Sequence, residues 1–404
     1  MIIGIIGAGA AGMAAAITAS KYPNVHVEIF ERQSRVGRKL QATGNGRCNL
    51  SNIHADGSHY HGEEPDFVLP ALSRMHVAET QVWFRKLGLY TVAEESGKIY
   101  PYSDQANSVV DVLRFALQKT NITLRTGFEV TKVKKTDDGF VLSDGEQTIT
   151  CDKLIVACGG IAGTKLGGSM SGYRILSKFG HKSTRLRPAL VQLKTDWNGI
   201  AALKGVRAQC QVSVYHDEKL FNQSAGEVQF TEYGLSGPVI FEVSRDVCQG
   251  SGHWCCRLDL LPDYTKEQIF ADLCSRREFN LTAEDLLTGI LHNRLGRVIV
   301  KGTGVQASCA VADITDVQLR QICDLAKCFE ITLSEPMGMD SAQVTAGGVL
   351  TRDFYSETME SKLVPGLYAC GEVLDIDGDC GGFNLQWAWS SGCCAGEHAG
   401  KDTV

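Results

Sequence analysis

Three glycines and one glutamate near the start of the chain have the types and the spacing that bind a dinucleotide. Gly7-Ala-Gly-Ala-Ala-Gly12 matches G-x-G-x-x-G, in which the first glycine makes a tight turn, the second lets the backbone approach a pyrophosphate, and the third lets a helix pack closely on a strand. Glu31 stands about 20 residues further on, where a carboxylate reaches the ribose hydroxyls of an adenosine. Because this residue is an acid, the pattern predicts FAD or NAD rather than NADP.

The elements that must position these residues follow in the required order. Residues 1–6 are apolar and predict a strand, residues 13–20 have the composition of a helix, and residues 25–30 predict a second strand. The pyrophosphate would lie at the N-terminus of the helix, where unpaired N–H groups and the helix dipole favour negative charge. The cofactor contacts expected in this unit are Gly7, Gly9, Ala10, Ala11, Gly12 and Glu31.

Two other interpretations of this stretch are weaker. A membrane helix over residues 2–19 would be long enough, but three clustered glycines argue against it. No basic region precedes the stretch and no cleavage site follows it, so a signal peptide is not expected.

Composition places the chain among ordinary soluble globular proteins. Its 404 residues are enough for two or three domains, and 44% of them are hydrophobic while 21% are charged. A net charge of −6 argues against a nucleic-acid partner and against an anionic membrane surface. The 15 cysteines include no C-x-x-C pair, so we expect thiols packed as small apolar groups in a reducing cytoplasm, with no metal site.

A second group of possible ligand contacts occupies Thr43-Gly-Asn-Gly-Arg-Cys-Asn49. Its backbone N–H groups and one guanidinium could wrap an anionic or heterocyclic ligand, although a surface turn is the simpler alternative. Together with Gly37-Arg-Lys39, the string resembles the flavoprotein family that includes 3-dehydro-bile acid reductases and aminoacetone oxidases (BaiN-type). The resemblance implies that this loop runs past the pyrophosphate to the flavin ring. The FAD contacts expected on this basis are Arg32, Arg38, Lys39, Gly46, Arg47 and Asn49.

Other strings extend the resemblance over nearly the whole chain. Gly226-Glu-Val-Gln-Phe-Thr-Glu-Tyr-Gly-Leu-Ser-Gly-Pro238 is close to the family's G-E-x-x-F-T-x-x-G-x-S-G-P. In Gly167-Gly-Ser-Met-Ser-Gly-Tyr173, by contrast, Ser171 stands where relatives usually carry aspartate. That departure puts a charge-dependent role at this position in doubt.

The C-terminal part resembles the second FAD motif of glutathione-reductase-type domains. Val364-Pro-Gly-Leu-Tyr-Ala-Cys-Gly-Glu372 implies contacts from Gly371 and Glu372 to the ribityl chain and the pyrophosphate. A last helix is expected to begin with Gly381-Gly-Phe-Asn-Leu-Gln-Trp-Ala-Trp-Ser-Ser-Gly392 and to direct the N–H groups of Asn384 and Leu385 at an anionic flavin edge. By the same resemblance, Val130 presents its backbone to the adenine.

Hydrophobic periodicity predicts the remaining elements. Helices are expected over residues 77–87, 108–119, 266–276, 283–292 and 316–327. Strands are expected over residues 128–134, 140–142, 148–151, 153–157, 208–215, 226–231, 239–243, 298–301 and 331–336. Gly302-Thr-Gly-Val-Gln-Ala307 repeats the dinucleotide pattern superficially, but no helix follows it directly and no terminal acid completes a unit. A dedicated NAD(P)H domain is therefore not expected.

The predicted fold class is α/β: a glutathione-reductase-type FAD-binding Rossmann domain with an inserted β-barrel-like domain and a helical insertion. The FAD domain is expected to comprise residues 1–192 and 340–404. The inserted domain should comprise residues 193–260 and 297–339, and the helical insertion residues 261–296. A small-molecule substrate is expected over the flavin where these parts meet.

The predicted function is that of an FAD-dependent oxidoreductase in the cytoplasm. By resemblance, NAD(P)H is the expected transient donor and a steroid-like or bile-acid-like enone the expected acceptor. Alternatives are oxidation of a small amine such as aminoacetone by oxygen, a flavin-bound regulator without turnover, and a folate-dependent tRNA methyltransferase flavoprotein, against which the negative charge argues. The candidate catalytic residues are Arg47, Cys48 and Tyr233. Neither nucleic acid nor a membrane is an expected partner.

Overall fold

The computed structural model describes residues 1–248, 250 and 252–401. They form two compact units, one built from Met1–Pro188 together with the chain from Ala342 onwards, the other from Ala189–Ser341. Each unit has its own hydrophobic core.

The strands and helices alternate along much of the chain. In chain order the strands are β1 (Ile2–Ile6), β2 (His26–Glu31), β3 (Ser51–Asn52), β4 (Tyr60–His61), β5 (Thr91–Ala93), β6 (Lys98–Pro101), β7 (Ile122–Thr126), β8 (Lys132–Thr136), β9 (Gly139–Ser143), β10 (Thr148–Cys151), β11 (Lys153–Val156), β12 (Arg187–Ala189), β13 (Leu193–Lys194), β14 (Arg207–His216), β15 (Lys219–Phe230), β16 (Gly234–Ser236), β17 (Trp254–Asp259), β18 (Phe329–Leu333), β19 (Val344–Ala346), β20 (Leu367–Ala369) and β21 (Asp377–Gly378). The α-helices are α1 (Ala10–Ala19), α2 (Arg38–Ala42), α3 (Leu69–Arg74), α4 (Val77–Lys86), α5 (Ala106–Ala116), α6 (Ser171–Lys178), α7 (Pro238–Val247), α8 (Lys266–Ser275), α9 (Asn293–Gly302), α10 (Asp316–Lys327) and α11 (Phe383–Gly400).

A five-stranded parallel sheet, in the order β20-β11-β1-β2-β7, forms the centre of the first unit. Strand β1 is buried from Ile3 to Ile6, as expected of a parallel strand covered on both faces. Ile6 pairs with Phe30 in register, and Gly7 N donates to the carbonyl oxygen of Phe30 at 2.8 Å. The glycine turn after β1 and Glu31 at the end of β2 therefore meet at one edge of the sheet. This sheet confirms the mixed α/β class with parallel strands that the sequence predicts.

Helix α11 packs against α1 through small residues. A Cβ atom on Gly392 would overlap the backbone of Ala11, and one on Gly396 would overlap the backbone of Ala15. Because a step of four residues along α11 matches a step of four residues in the same direction along α1, the two helices run parallel. Helix α11 therefore extends about 12 Å beyond the N-terminus of α1, at 1.5 Å per residue.

Three smaller sheets lie entirely within the first unit. Strands β8, β9 and β10 form an antiparallel meander. Strands β3, β6 and β5 form a second sheet, and β4 pairs with β21 immediately before α11.

The second unit is built on a six-stranded antiparallel sheet in the order β13-β16-β15-β14-β17-β18. The chain after β18 returns to the opposite edge, where Ser334 N donates to the carbonyl oxygen of Lys194 and Met337 N to that of Gln192, both at 2.9 Å. The sheet thereby closes on itself. Helices α8, α9 and α10 pack in the same core.

Two predicted strands are wrong, since both are helical. Residues 239–243 lie in α7, and Pro238 occupies the first turn of this helix. Proline is favoured at that position. Residues 298–301 lie in α9, where Leu295 and Ile299 are buried four residues apart. β-Branched composition suggested strands, but burial along one helical face overrides that weak propensity.

One predicted helix is also wrong. Over residues 283–292 only Ala283–Asp285 forms a turn of 3-10 helix. Gly289, with φ of +83°, adopts the left-handed conformation that interrupts a helix.

Among the described residues, no helix combines the length and the apolar character needed to cross a membrane. The same part of the chain contains no group of three or more His, Cys, Asp or Glu residues that could hold a metal ion.

Candidate flavin site

The turn between β1 and α1 leaves one glycine facing open space. Gly7 has φ of +103°, and a Cβ atom there would overlap the carbonyl oxygen of Ala157. A Cβ atom on Gly12 would overlap the carbonyl oxygen of Gly7, so the helix packs directly on the turn. Around Gly9, by contrast, an added Cβ would have no described atom within 4 Å apart from those of Gly9 itself and its chain neighbours. Two glycines thus serve close packing, and the third leaves room for a ligand against the backbone.

Helix α1 begins without a side-chain cap. Gly9 is its N-cap residue, and no acidic residue lies in the first turn. The first helical hydrogen bond runs from Met13 N to the carbonyl oxygen of Gly9 at 3.0 Å, so the N–H groups of Ala10, Ala11 and Gly12 have no partner within the helix. Such a terminus is suited to an anion.

Glu31 ends β2 beside this turn. Its Oε2 accepts a hydrogen bond from Ala8 N at 3.0 Å, and its Oε1 accepts one from Gln33 N at 2.8 Å. The side chain is half-buried. Each carboxylate oxygen therefore has one backbone donor and one remaining acceptor position.

Lys39 on α2 and Glu372 form an ion pair that joins two of the predicted motifs. Lys39 Nζ lies 2.7 Å from Oε2 and 3.0 Å from Oε1 of Glu372. Thr345 N also donates to Oε1 at 2.9 Å. Gly371 is fixed from α11, because its N–H donates to Ser391 Oγ at 3.0 Å. The Gly37-Arg-Lys39 segment and the Gly371-Glu372 segment, far apart in the chain, therefore meet at this pair.

Two of the three predicted arginine contacts, Arg32 and Arg38, bind carbonyl oxygens of the loop that precedes α6. Arg32 Nη2 donates to the carbonyl oxygen of Gly167 at 2.8 Å, and Arg38 Nη2 donates to that of Lys165 at 3.2 Å. Both guanidinium groups thus tie this loop to the segment that follows β2.

The glycine-flanked loop adopts strained backbone conformations, but its arginine binds carboxylates. Asn45 has φ of +56°, and an added Cβ on Gly46 would meet open space beyond its own chain neighbours. The Arg47 guanidinium pairs with Glu94, at 2.7 Å, and with Asp104, and it lies 3.9 Å from the centre of the Tyr100 ring. In this conformation Arg47 anchors the loop.

The next two loop residues are buried and differ in chemistry. Burial raises the pKa of the Cys48 thiol to about 12, an environment that does not favour the nucleophilic thiolate. Asn49 is buried too, and within the described chain its Oδ1 has no hydrogen-bond partner. A Cβ atom on Gly382 would lie 2.8 Å from this oxygen. An orphaned polar atom therefore borders the N-terminus of α11.

That helix begins with free N–H groups as well. Its first intrahelical bond runs from Gln386 N to the carbonyl oxygen of Gly382 at 3.0 Å, so the N–H groups of Phe383, Asn384 and Leu385 have no partner within the helix. The side chain of Asn384 is engaged elsewhere, since it bonds the N–H and the carbonyl oxygen of Gly378 at 2.9 and 2.7 Å. Asn384 and Leu385 can therefore contribute their backbone N–H groups to a ligand.

Val130 and Tyr233 are the remaining residues predicted from the sequence. Val130 is buried between β7 and β8 and is itself outside a strand. Tyr233 belongs to the second unit, where its hydroxyl donates to Gln192 Oε1 at 3.0 Å.

The structure also brings together a serine, a histidine and an aspartate that the sequence analysis did not connect. His181 Nε2 lies 3.0 Å from Ser361 Oγ, and its Nδ1 lies 3.7 Å from Asp353. The serine oxygen also accepts N–H donors from Leu363 and Val364, and both Ser361 and His181 are buried. Without access to a substrate, the set holds a turn together. No local sequence signal could have found it, because its members are far apart in the chain.

Known proteins resemble this chain over almost its full length. The model of the HI0933-like protein Rossmann domain matches residues 1–398. A 3-dehydro-bile acid delta(4,6)-reductase from Clostridium scindens is 37% identical over 99% of both chains. A ribosomal RNA dihydrouridine synthase from Escherichia coli is 31% identical over 96% of this chain and 95% of its own.

Solved structures align over the same length with lower similarity. The open conformation of a flavocytochrome c3 fumarate reductase gives a TM-score of 0.44 at 16% identity, covering 98% of this chain and 78% of its own. A 3-ketosteroid delta1-dehydrogenase from Sterolibacterium denitrificans gives 0.42 at 12% identity, covering 98% and 99%. The family match and the full-length identities show that the chain belongs to the HI0933-like Rossmann-domain family, as its motifs predict, and that it is an FAD-dependent oxidoreductase.

Proposed function

We propose that the first unit holds FAD between Glu31, the glycine turn and the N-terminus of α11, and uses it to reduce a carbon–carbon double bond conjugated to a carbonyl group. The spacing of the two helix N-termini, about 12 Å along parallel axes, supports this placement. The pyrophosphate would lie at α1, and the ribityl chain would carry the ring to α11.

The residues at these positions fit the chemistry of FAD. The open backbone at Gly9 leaves room for the pyrophosphate, and the two remaining acceptor positions of Glu31 match the two ribose hydroxyls. The orphaned Asn49 Oδ1 is an acceptor suited to an N–H group on the flavin ring. The N–H groups of Asn384 and Leu385 would stabilise negative charge on the ring.

The remaining contacts belong to the same proposal. Lys39 and Glu372 would lie beside the pyrophosphate and the ribityl chain, and Val130 would face the adenine. Arg47 would fix the loop that borders the ring. When bound, FAD supplies hydride chemistry, so the protein needs only to orient the substrate and to supply protons.

The class of substrate follows from the names of the relatives. A delta(4,6)-reductase of a 3-dehydro-bile acid and a dihydrouridine synthase are names for the same change of bonds, because both denote reduction of a double bond conjugated to a carbonyl. This shared chemistry carries the proposal.

We favour a small steroid-like substrate over RNA. The second unit contains fourteen Lys and Arg residues against twenty Asp and Glu residues, whereas binding of RNA depends on neutralising phosphates with basic side chains. The 31% identity to ribosomal RNA dihydrouridine synthases keeps uridine in RNA as the second candidate.

NAD(P)H is the proposed donor, bound transiently at the substrate face of the flavin. FAD fills the one complete βαβ dinucleotide unit in the described chain. The 15 cysteines are thiols rather than members of disulfides, which supports a reducing cytoplasm as the location.

A spectroscopic and kinetic experiment tests the proposal. The purified protein should be yellow and should release FAD on heating. Under anaerobic conditions NADH or NADPH should bleach the flavin, and a 3-oxo-4-ene steroid should restore its colour. Initial rates across a grid of both substrates should give a ping-pong pattern.

Three outcomes would contradict parts of this proposal. Reoxidation by a uridine-containing RNA alone would move the function to RNA. Oxygen consumption with aminoacetone, without reduction of any enone, would favour amine oxidation. Intersecting rate lines together with a tight nicotinamide site would refute the shared cavity and return attention to residues 302–307.

A further inference from the structure

Two histidines and one aspartate lie together immediately before α11. Asp379 Oδ2 lies 2.9 Å from His59 Nδ1, and Asp379 Oδ1 lies 2.7 Å from His61 Nε2. The backbone fixes the same group, because Asp379 N donates to the carbonyl oxygen of His59 at 3.0 Å and Asp377 pairs with His61 between β21 and β4. The three side chains are therefore held in one arrangement.

This His–Asp–His cluster adjoins the helix N-terminus at which the flavin edge is proposed. The ring of His59 stacks on Phe383, the first residue of α11, with centroids 4.3 Å apart and planes at 20°. Asn384, the next residue of the helix, binds the backbone of Gly378 and the carbonyl oxygen of Asp379. The imidazole of His59 thus lies over the first turn of α11.

The charge of Asp379 assigns the protons of both rings. Burial works to raise the pKa of this carboxyl, but the hydrogen bonds from His61 and His59 outweigh it and hold the pKa below its usual range. An ionised carboxylate only accepts hydrogen bonds, so His59 carries a proton on Nδ1 and His61 carries one on Nε2. The nitrogen of His59 that faces away from Asp379 is Nε2.

Accessibility and the neighbouring groups favour His59 for proton transfer. About one third of its side chain is exposed (32%). The Tyr60 hydroxyl is buried and donates to the carbonyl oxygen of Phe383 at 3.1 Å, and the Cys48 thiol is fully buried. His59 and His61 are equally exposed (32% each), but it is the ring of His59 that stacks on Phe383 at the start of α11.

We propose that His59 is the proton donor of the reaction, a step that rests on the proposed function, and that Asp379 and His61 are positioning residues that orient its ring. A bound reduced FAD would supply the hydride, so the protein has to supply one proton to complete the reduction. That proton leaves His59 Nε2 and forms the C–H bond at the carbon next to the carbonyl group. The imidazole becomes neutral, keeps its Nδ1–H bond to Asp379, and regains a proton from solvent.

The kinetic test separates this step from reduction of the flavin. Holoenzyme is reduced with dithionite and mixed anaerobically with a 3-oxo-4-ene steroid, and reappearance of the oxidised flavin spectrum is followed. His59→Gln should slow this phase by about 100-fold or more, the usual contribution of a general acid, while NADH bleaches the flavin at the wild-type rate. Asp379→Asn should slow it less. His26→Gln is the matched control, because His26 lies at the start of β2 and bonds Thr123.

A second measurement tests the arrangement without turnover. In protein labelled with 15N in its histidine rings, the neutral ring of His59 should show the Nδ1–H tautomer and that of His61 the Nε2–H tautomer, and Asp379→Asn should change both spectra. An Nε2–H tautomer at His59 would overturn the proposal. So would wild-type reoxidation in His59→Gln, or an equal loss in both half-reactions. If the wild-type flavin is reoxidised by neither the steroid nor uridine-containing RNA, the proposed function fails and this step fails with it.

Discussion

Replacement of Glu31 by glutamine should weaken the binding of FAD without unfolding the protein. The carboxylate has about four acceptor positions, and Ala8 N and Gln33 N occupy two of them. The other two match the ribose hydroxyls. Glutamine keeps one side-chain oxygen as an acceptor but has no charge. Its NH2 group replaces the second oxygen, and because this group is a donor it cannot accept the hydrogen bonds that the second oxygen accepts.

The expected loss is about 1.5 to 3 kcal/mol, the net contribution of hydrogen bonds to a charged group. This corresponds to an increase in Kd of about 10-fold to 150-fold. Kd would be measured by titrating FAD into apoprotein and following quenching of its fluorescence, with the melting temperature of each apoprotein as a check on folding.

Glu28→Gln is the matched control, since Glu28 lies on the same strand and instead pairs with Arg125 at 2.7 Å. It should leave the Kd for FAD unchanged. If Glu31→Gln folds normally and its Kd stays within twofold of wild type, Glu31 does not bind the ribose and the placement of FAD is wrong.

Three further predictions test the site and its surroundings. Gly9→Ala should leave the apoprotein folded, because the added Cβ meets open space, but should abolish tight FAD binding. Gly12→Ala should destabilise the protein by about 1 to 3 kcal/mol or more, because the added Cβ overlaps Gly7. Equal melting temperatures of the two variants would contradict this. Arg47→Ala should impair FAD retention, whereas Glu94→Gln should not. Each substitution should lower the free energy of unfolding by at most about 1 kcal/mol, because the ion pair is exposed. If both variants lose FAD equally, Arg47 only anchors the loop at the surface. Burial lowers the pKa of His181, although Asp353 opposes the shift. The stability that the neutral His181 contributes is therefore fully present above about pH 6.5 and is lost as pH falls through the lower folded pKa. Between pH 7 and pH 5 the melting temperature should fall less in His181→Gln than in wild type.

The sequence predicted best where the residues that must cooperate are neighbours in the chain. The β1, α1 and β2 unit has a fixed order of strand, glycine turn, helix, strand and acid, so the pattern contains the geometry. The strand predicted over residues 239–243 was wrong because β-branched residues are common both in strands and on buried helix faces. Only the packing of α7 in the second core decides between them.

Long-range pairs lay outside the reach of sequence patterns. His59 and Asp379 are 320 positions apart, and His181 and Ser361 are 180 apart. Each of these residues alone is an ordinary polar side chain. The sequence could identify Asn49 and Glu372 only because each belongs to a motif whose spacing implies a ligand, whereas histidines without such a motif carry no signal.

The proposed chemistry depends on how firmly the N-terminus of α11 is held. Residues 50–60 fix it from one side: Trp389 Nε1 donates to the carbonyl oxygen of Leu50 at 3.0 Å, and Ser51 Oγ donates to Gln386 Oε1 at 2.6 Å. Gln386 is fully buried, and its amide nitrogen donates in turn to Met75 O at 2.8 Å. A buried network in which each group is satisfied resists rearrangement. Because the N–H groups at the start of α11 already point in one direction before any ligand binds, they can stabilise a developing negative charge without a reorganisation cost. The same segment that supplies this rigidity also carries His59, so the fold brings charge stabilisation and the proposed proton donor to one end of one helix.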